Sequence, residues 1–403
     1  MTDPADLADR VQTGDLRLYE LEEHVDPDVA AAARREFLGR ETDASLEAVG
    51  DYTFDAADVE ANVENAIGAA QVPMGVAGPV PVDGGSASGR YYLPLATTEG
   101  ALVASVNRGL AVIRDAGGAT ARVTDSGMTR APVFRVDGVA EAETVVEWVA
   151  EHEDDLRRAA ESTTSHGELL GVDPYVVGDS VFLRFAYDTK DAMGMNMVTI
   201  ATEEAAAVVE AETPASLVAL SGNLCTDKKP AAIDAVEGRG RTVTADVLVP
   251  EGVVTNRLDT TAGAIAEANT RKNLIGSAKA GSLGFNAQAA NVVAAVFLAT
   301  GQDAAQVVEG ANVITTVDER DGDLYASVSL ASLEVGTVGG GTGLATNAEA
   351  LDVIGVRGGG DPPGDNADAL AEVIAAGALG GELSLLTALA SRHLASAHES
   401  LGR

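Results

Sequence analysis

Tyr175-Val176-Val177-Gly178-Asp179-Ser180-Val181-Phe182-Leu183-Arg184-Phe185-Ala186-Tyr187 sets β-branched and aromatic residues on both sides of a Gly-Asp pair. That is the pattern of two strands joined by a tight hairpin turn. On the N-terminal side, Val133-Phe134-Arg135-Val136 reads as a strand. Glu141 to Glu161 then places Val145, Trp148, Val149, His152 and Leu156 on one helical face. On the C-terminal side, Ala192 to Glu212 is helical in composition and Ser216 to Leu220 reads as a final strand. The order βαββαβ is the ferredoxin-like, split-βαβ pattern. It predicts an inserted small domain over 132–220. A large domain then comprises 49–131 and 221–403, and 1–48 forms a small helical N-terminal region.

The flanks fit an α+β class, with a large α/β domain built around a long central helix. Asp26-Pro27 opens a helix containing the Ala30–Ala33 run, with Gly39 at its end. Glu64 to Gly89, rich in glycine, proline and valine, predicts loops and short strands. Beyond the insert come a strand (Thr242 to Val249), a helix over about 255–270, and an apolar helix from Asn286 to Thr300 closed by Gly301. A last helix, from about Glu382, carries His393 and His398.

The charge balance is extreme, with 62 acidic against 27 basic residues and a net charge of −35. Such a surface repels nucleic acid and anionic lipid. Only five lysines occur (Lys190, Lys228, Lys229, Lys272 and Lys279), and the acids are spread along the chain. At molar salt the Debye length is roughly 3 Å, which removes most of the self-repulsion. A cytoplasm rich in potassium chloride is therefore expected. The single cysteine, Cys225, excludes an internal disulfide and a thiolate metal cluster. The acidic N-terminus lacks a signal-peptide pattern and no 18 apolar residues run together, so a cytosolic chain without a membrane span is expected.

Four local patterns carry chemistry. In Ser221-Gly222-Asn223-Leu224-Cys225-Thr226-Asp227-Lys228-Lys229-Pro230, two of the five lysines stand side by side. Adjacent ammonium groups repel, so the pair suits a bound anion, the alternative being a solvated loop. Glu99, in Ala96-Thr97-Thr98-Glu99-Gly100, precedes an apolar helical stretch as a site acid or as a helix N-terminal charge. Gln288 and Asn291 lie three apart on an apolar helix, and Asp303 just past its end serves as a cap or a site residue. Asp191-Ala192-Met193-Gly194-Met195-Asn196-Met197 is a flexible core segment or a phosphate-binding turn. Val338-Gly339-Gly340-Gly341-Thr342-Gly343 has the wrong spacing for a dinucleotide fingerprint, and no His/Cys/Asp cluster has metal-ligand spacing.

Taken in order, these segments resemble the HMG-CoA (3-hydroxy-3-methylglutaryl-coenzyme A) reductase family over roughly residues 60–400. Glu64-Asn65-Ala66-Ile67-Gly68 resembles its ENVIG element, Asp191–Met197 its DAMGMNM motif, Gly301–Ala305 its GQDAA motif and Thr226–Pro230 its TDKKP motif. The TDKKP form, the ENVIG-like element and the C-terminal histidine resemble class I. The resemblance implies reduction of HMG-CoA to mevalonate and free coenzyme A with two hydrides from NADPH, the cofactor lying in the inserted domain. Glu99, Lys228, Asp303 and His398 would be catalytic. Lys228 would stabilise the oxyanion, His398 protonate the thiolate, and Glu99 serve as an acid in a desolvated pocket. Asp303 would hold Lys228 and Glu99 in one network with Asn291.

The resemblance also implies that Arg130, Ser221, Asn223, Asp227, Lys229, Lys272, Asn291 and Leu385 handle the HMG portion. Glu64, Asn65, Ser105, Asn107 and Arg108 would meet coenzyme A. Ser165, His166, Asp191, Met193, Gly194, Met195, Asn196, Gly339 and Gly340 would meet NADPH. The family builds its site across a homodimer interface, and the dimers are open to further pairing. In three places the chain departs from the pattern. Gln288 replaces a histidine of many class I members, Asp259 replaces a CoA-contacting lysine of mammalian relatives, and Ser165-His166-Gly167 replaces a segment with arginine. Two rival readings are a Schiff-base lyase using Lys228 and a non-catalytic nucleotide-binding module.

Overall fold

The computed structural model describes residues 3–60 and 62–391, so His393 and His398 lie outside the described residues. Ten strands follow in chain order: β1 (Met74–Asp83), β2 (Ser88–Ala96), β3 (Ala119–Arg130), β4 (Val133–Arg135), β5 (Glu168–Val177), β6 (Ser180–Asp188), β7 (Ser216–Ala219), β8 (Gly240–Val249), β9 (Val313–Arg320) and β10 (Asp323–Leu333). The larger array runs β2-β1-β3-β8-β10-β9, and the smaller runs β7-β4-β6-β5. The last residues of β3, Met128–Arg130, pair with Tyr187–Phe185 of β6 and join the two arrays. Period-2 alternation decides which faces are covered: Val243, Ala245, Val247 and Val249 of β8 and Leu324, Ala326, Val328 and Leu330 of β10 all point into the main core.

The hairpin over β5 and β6 turns at Gly178, where φ is +63°. The helical stretch between β4 and β5 is broken in two, Val139–Glu151 and Glu153–Glu161. His152 leaves the helical region, stacks its ring on Trp148 at 4.6 Å and sets Nδ1 against the Trp148 carbonyl. Glu153, Asp154 and Asp155 then fill a first turn, where the macrodipole favours acids.

Other boundaries also differ from expectation. The helix opened by Pro27 runs through Gly39 to Thr42 and ends at Asp43 in the left-handed region. The helix over 255–270 is two, Glu251–Leu258 and Ala262–Asn269. Asp259 (φ +49°) closes the first, and the Thr261 hydroxyl caps the second by accepting from Ala264 N. The chain then continues through a π-helical turn, Thr270–Gly276. The apolar helix is Ala289–Thr300, with Gln288 as its N-cap residue and Gly301 (φ +72°) closing it as expected.

The largest difference is the last helix, which spans Asp365–Ala390. By length and composition alone it would pass for a membrane-crossing helix, yet it is buried inside the fold. Its glycines disguise it, since each costs about 1 kcal/mol relative to alanine in a helix interior. They also explain its packing. A Cβ on Gly109, in the helix Leu102–Asp115, would lie 1.8 Å from the Gly380 carbonyl oxygen, and one on Gly377 would strike Leu93. The two helices therefore meet backbone to backbone, and this central helix docks against the large sheet.

The N-terminal residues form a small core of their own from Leu7, Leu16, Leu21, Ala30 and Ala33. Buried Arg34 pairs with Glu22 and reaches the Ala66 carbonyl, while Arg35 donates to the Ile67 carbonyl at 2.8 Å. These arginines fasten the 64–68 segment to the helix Pro27–Thr42.

Candidate active site

Strand β7 ends at Ala219, and the loop that follows is held in an unusual backbone. Asn223, Thr226 and Lys228 have φ of +63°, +58° and +60°, each costing roughly 1–2 kcal/mol for a residue with a Cβ. Such a loop persists only if its surroundings over-determine it, and here the anchors are polar. Thr226 donates to the Asp234 carboxylate, and Thr129 donates to the Cys225 carbonyl at 3.2 Å. The backbone N–H groups of Lys228 and Lys229 both donate to Glu309 Oε1, the second at 3.3 Å. Asp227 Oδ1 accepts from Gln306 at 2.9 Å and Arg239 at 3.2 Å.

Arg239 is the hub. Its guanidinium is fully buried, 2.7 Å from Glu334 and 3.5 Å from Glu309. Burial pushes the carboxyls of Glu334 and Glu309 upward, Glu334 well above its ordinary range, against the pull of Arg239. Burial alone would also raise Asp227. The Gln306 hydrogen bond and the charges of Arg239, Lys228 and Arg130 outweigh it and hold that carboxyl low. Asp234 is raised to about 6 by burial, with Thr226 and Arg239 opposing.

This frame delivers the Lys228 ammonium to Asp303, Nζ to Oδ2 at 3.0 Å, with both side chains partly exposed. Asp303 is placed by the end of the helix Ala289–Thr300. Gly301 turns the chain, and Asp303 Oδ1 accepts from Ala305 N at 3.0 Å. At the other end of that helix, Asn291 Nδ2 donates to Glu99 Oε1 at 3.2 Å. Nine residues separate Asn291 from Thr300, about 14 Å at 1.5 Å per residue. Among the described residues no hydrogen bond or ion pair joins the two pairs, so the single expected network is two separate pairs within one chain. Glu99 is exposed rather than enclosed in a desolvated pocket. Beside it, Met74 and Val76 leave more than half of their surface uncovered. Gln288 and Asn291 do not share a face, because Gln288 is non-helical and donates to the Gly381 carbonyl.

The 191–197 segment meets the glycine run. Ala192 bridges Val338, Thr337 N donates to the Asp191 carbonyl, and Gln302 clamps Gly336 by two hydrogen bonds of 2.9 Å. Gly194 (φ +86°) then opens the helix Met195–Glu212, leaving Asn196 exposed in its first turn. Gly339 and Gly340 have open space where a Cβ would stand. The 164–167 turn lies against the same helix, with Thr164 donating to Met197 Sδ. The Asp191 side chain is not free for a ligand. It is buried and accepts from Gly360, Gly364 and Ala367, the last in the first turn of the central helix.

The hydroxymethylglutaryl-coenzyme A reductase family profile matches residues 30–403. A curated 3-hydroxy-3-methylglutaryl-coenzyme A reductase of Haloferax volcanii is 71% identical over 403 residues, covering 100% of both chains. One from Methanothermobacter thermautotrophicus is 54% identical, covering 98% of this chain and 99% of that one. The chain belongs to this family. A class II HMG-CoA reductase of Streptococcus pneumoniae, solved bound to NADPH, shares the fold with a TM-score of 0.67 at 21% identity, covering 95% of this chain and 98% of that chain.

Within this HMG-CoA reductase family member, the remaining expected residues fall into groups. Arg130 donates through Nε and Nη2 to Thr199 and approaches Cys225, whose sulfur lies 3.4 Å from the Ser221 hydroxyl. Lys229 Nζ donates to the Asp227 carbonyl at 2.8 Å, while the Lys228 ammonium faces Asp303. Asn223 stands in the same loop. Lys272 is exposed on the π-helical turn, and Leu385 is half-buried on the central helix. Ser105 and Arg108 are tied to Ser384, and Asn107 Oδ1 accepts from Gly78 N at 3.0 Å. Glu64 and Asn65 are exposed in a turn. Ser165 and His166 lie in the 164–167 turn. Met193 and Met195 pack on the small core, and Arg239 also reaches the Met195 sulfur.

Sequence reasoning passed over Arg239, Glu309, Glu334 and Glu382. Glu382 is fully buried and accepts from Ala287 N and Gln288 N, fixing the entry to the helix that bears Asn291. The available signal was an isolated acid inside an apolar run, as in Val307-Val308-Glu309 and Ser332-Leu333-Glu334-Val335. A charge there must be paired to be buried.

Proposed function

We propose that this chain reduces HMG-CoA to mevalonate and free coenzyme A, as a class I enzyme, with Glu99, Lys228, Asp303 and His398 as its catalytic residues. The observation that carries the reading is Lys228, held in a left-handed backbone by Glu309 with its ammonium 3.0 Å from Asp303. Reduction of a thioester places negative charge on its carbonyl oxygen, and a preorganised cation at that oxygen stabilises the charge. Committed to Asp303, that amine is badly placed for a Schiff base, which disfavours a lyase.

NADPH, when bound, supplies the hydrides. The residues that fit it are the Gly194 turn, Asn196 at the helix start, the open Gly339-Gly340 pair and the Ser165-His166 turn. A helix N-terminus and unencumbered glycines suit close approach of phosphate. In this reading 132–220 is the inserted, ferredoxin-like cofactor domain, 49–131 with 221–403 the large catalytic domain, and 1–48 the helical N-terminal region. The strand order β7-β4-β6-β5 supports that assignment.

The site is completed across a homodimer. Glu99 is exposed beside uncovered Met74 and Val76, and it stands apart from Lys228 in the same chain. A second copy covers that surface and sets the Glu99–Asn291 end of one protomer against the Lys228–Asp303 end of its partner. The enzyme works in the cytoplasm at molar potassium chloride, where its −35 charge is screened.

The test is NADPH oxidation dependent on HMG-CoA in molar potassium chloride, with sedimentation across a salt series. Activity and a dimer are expected at high salt and are lost as salt is removed. A fully active dimer at about 10 mM salt, where the Debye length is roughly 30 Å, contradicts the salt reading. Absence of HMG-CoA-dependent oxidation contradicts the catalytic one.

A further inference from the structure

Arg241, the second residue of β8, is buried, and each of its three guanidinium nitrogens has a partner. Nη2 donates to the Lys190 carbonyl at 2.5 Å, Nη1 to the Val335 carbonyl at 3.1 Å and Nε to Asp368 Oδ1 at 2.6 Å. The first carbonyl lies at the base of the 191–197 segment, and the second at the base of the glycine run over 338–343. These are the two limbs that would clasp the dinucleotide. They approach closely, since a Cβ on Gly336 would stand 2.5 Å from Met193 N. Both contain left-handed backbone, with φ of +53° at Lys190, +76° at Gly339 and +55° at Gly340. Backbone of this kind keeps its shape only where its surroundings fix it. Asp191 fastens the first limb to the central helix, and Gln302 fastens the second to the end of the helix Ala289–Thr300. Arg241 reaches both.

We infer that Arg241 is a positioning residue for the cofactor, which sets the spacing of the two limbs from beneath the cleft by donating to both. The inference rests on the proposed assignment of these limbs to NADPH. Guanidinium N–H groups point in fixed directions within one plane. Two carbonyls that accept from Nη1 and Nη2 therefore cannot drift apart independently. Asp368, in the first turn of the central helix, orients that plane through Nε and supplies the counter-charge that burial of the cation requires. A cleft already held open at the right width loses less freedom on binding than one assembled around its ligand. Arg241 thus acts on NADPH through Lys190 and Val335, its own nitrogens being committed to protein partners.

The test combines fluorescence titration with NADPH and steady-state rates, at one fixed potassium chloride concentration. Arg241→Gln should raise both Kd and KM for NADPH about tenfold, the factor expected for one lost charge-assisted hydrogen bond. KM for HMG-CoA should stay within about twofold. In the cofactor-free protein, amide hydrogen exchange should quicken over 191–196 and 336–340 together. Arg241→Lys keeps the charge beside Asp368 but not the planar fork, so it should fold and give a smaller rise in Kd. Asp368→Asn keeps an acceptor for Nε and leaves both carbonyl contacts in place. It should lower the unfolding midpoint while holding the NADPH Kd within about twofold. An NADPH Kd unchanged in both Arg241 variants, equal rises in KM for NADPH and HMG-CoA, or an Asp368→Asn variant that reproduces the Arg241→Gln loss would each overturn the inference. If wild type binds NADPH but does not oxidise it with HMG-CoA, the proposed reaction fails, and the titration still decides the role of Arg241.

Discussion

The loop over 221–230 and the contact between Gly109 and Gly380 are both tight, but opposite forces hold them. The loop is strained and polar. Three left-handed residues are kept in place by buried carboxylates and one buried guanidinium. The helix contact is apolar and unstrained, and it exists because two side chains are missing. A polar anchor specifies geometry to within a hydrogen bond but is intolerant of losing a partner. A glycine contact tolerates polar change around it but no added volume. The molecule places its reactive lysine on the first kind of support and its longest helix on the second.

Removing the hub should show the first kind of intolerance at its largest. Arg239→Met strands Glu334 and Glu309 without their cation, and breaking a buried pair typically costs about 3–5 kcal/mol. We expect a large fall in unfolding midpoint, together with loss of activity because Lys228 loses its frame. Denaturation in constant molar salt checks it. A midpoint within a degree of wild type would mean that the cluster contributes little. Glu334→Gln with Arg239 intact should be milder, since Arg239 keeps Asp227 and Glu309 as counter-charges.

Lys228→Ala separates chemistry from the frame. The loop is pinned by backbone N–H groups and by Asp227, so the variant should fold with an unchanged midpoint. It should lose roughly 10²–10³ in kcat, the loss typical of one oxyanion donor. Asp303→Ala should lose rate with similar retention of fold. Activity of Lys228→Ala within a few-fold of wild type would remove the lysine from the mechanism.

The same contrast explains what was legible in the residues. Motif segments with unusual composition, such as Asp227-Lys228-Lys229 and Asp191–Met197, were visible, as was the strand alternation around Gly178. The Lys228–Asp303 and Glu99–Asn291 contacts followed from residues named in advance, although they form two pairs rather than one. What escaped notice lies in long-range compensation. Glu334 and Glu309 look ordinary until Arg239 is seen between them. The helix Asp365–Ala390 was read short because Gly377, Gly380 and Gly381 lower helix propensity, and only Leu93, Leu110 and Val292 show why they are there. Asp191 was assigned to cofactor, yet its partners are backbone N–H groups some 170 residues away.

Added volume at the helix contact gives the next effect in size. Gly109→Ala puts a methyl 1.8 Å from the Gly380 carbonyl oxygen, so the helices must part. Overpacking of this kind costs about 1–3 kcal/mol. The midpoint should fall by several degrees, while KM for HMG-CoA also rises because Ser105 and Arg108 ride on the displaced helix. Gly117→Ala, where no atom lies within 4 Å but φ is +107°, isolates the backbone penalty from the steric one. Equal losses at the two sites would show that volume is not what the Gly109 contact resists.

The smallest expected effect tests whether every polar anchor of the loop is itself stabilising. Asp234 is fully buried, its Oδ2 has no partner, and its pKa is raised to about 6. The folded-state value therefore lies above the unfolded value near 3.9. Between these values the native chain binds more protons than the unfolded chain, so stability falls as pH rises from about 4 to 6 and is then flat. Asp234 thus weakens the fold at neutral pH, unlike the paired carboxylate of Asp227. Asp234→Asn keeps an oxygen acceptor for Thr226 and removes the buried charge. We expect it to be more stable than wild type by about 1 kcal/mol at pH 7.5, part of the gain being offset by a weaker hydrogen bond from Thr226. The difference should shrink toward zero as pH falls to about 4. Unfolding midpoints of the two proteins across that range, in constant potassium chloride, decide it. A variant less stable than wild type at pH 7.5 would mean that the charged Asp234–Thr226 contact stabilises the loop more than burial of the charge costs.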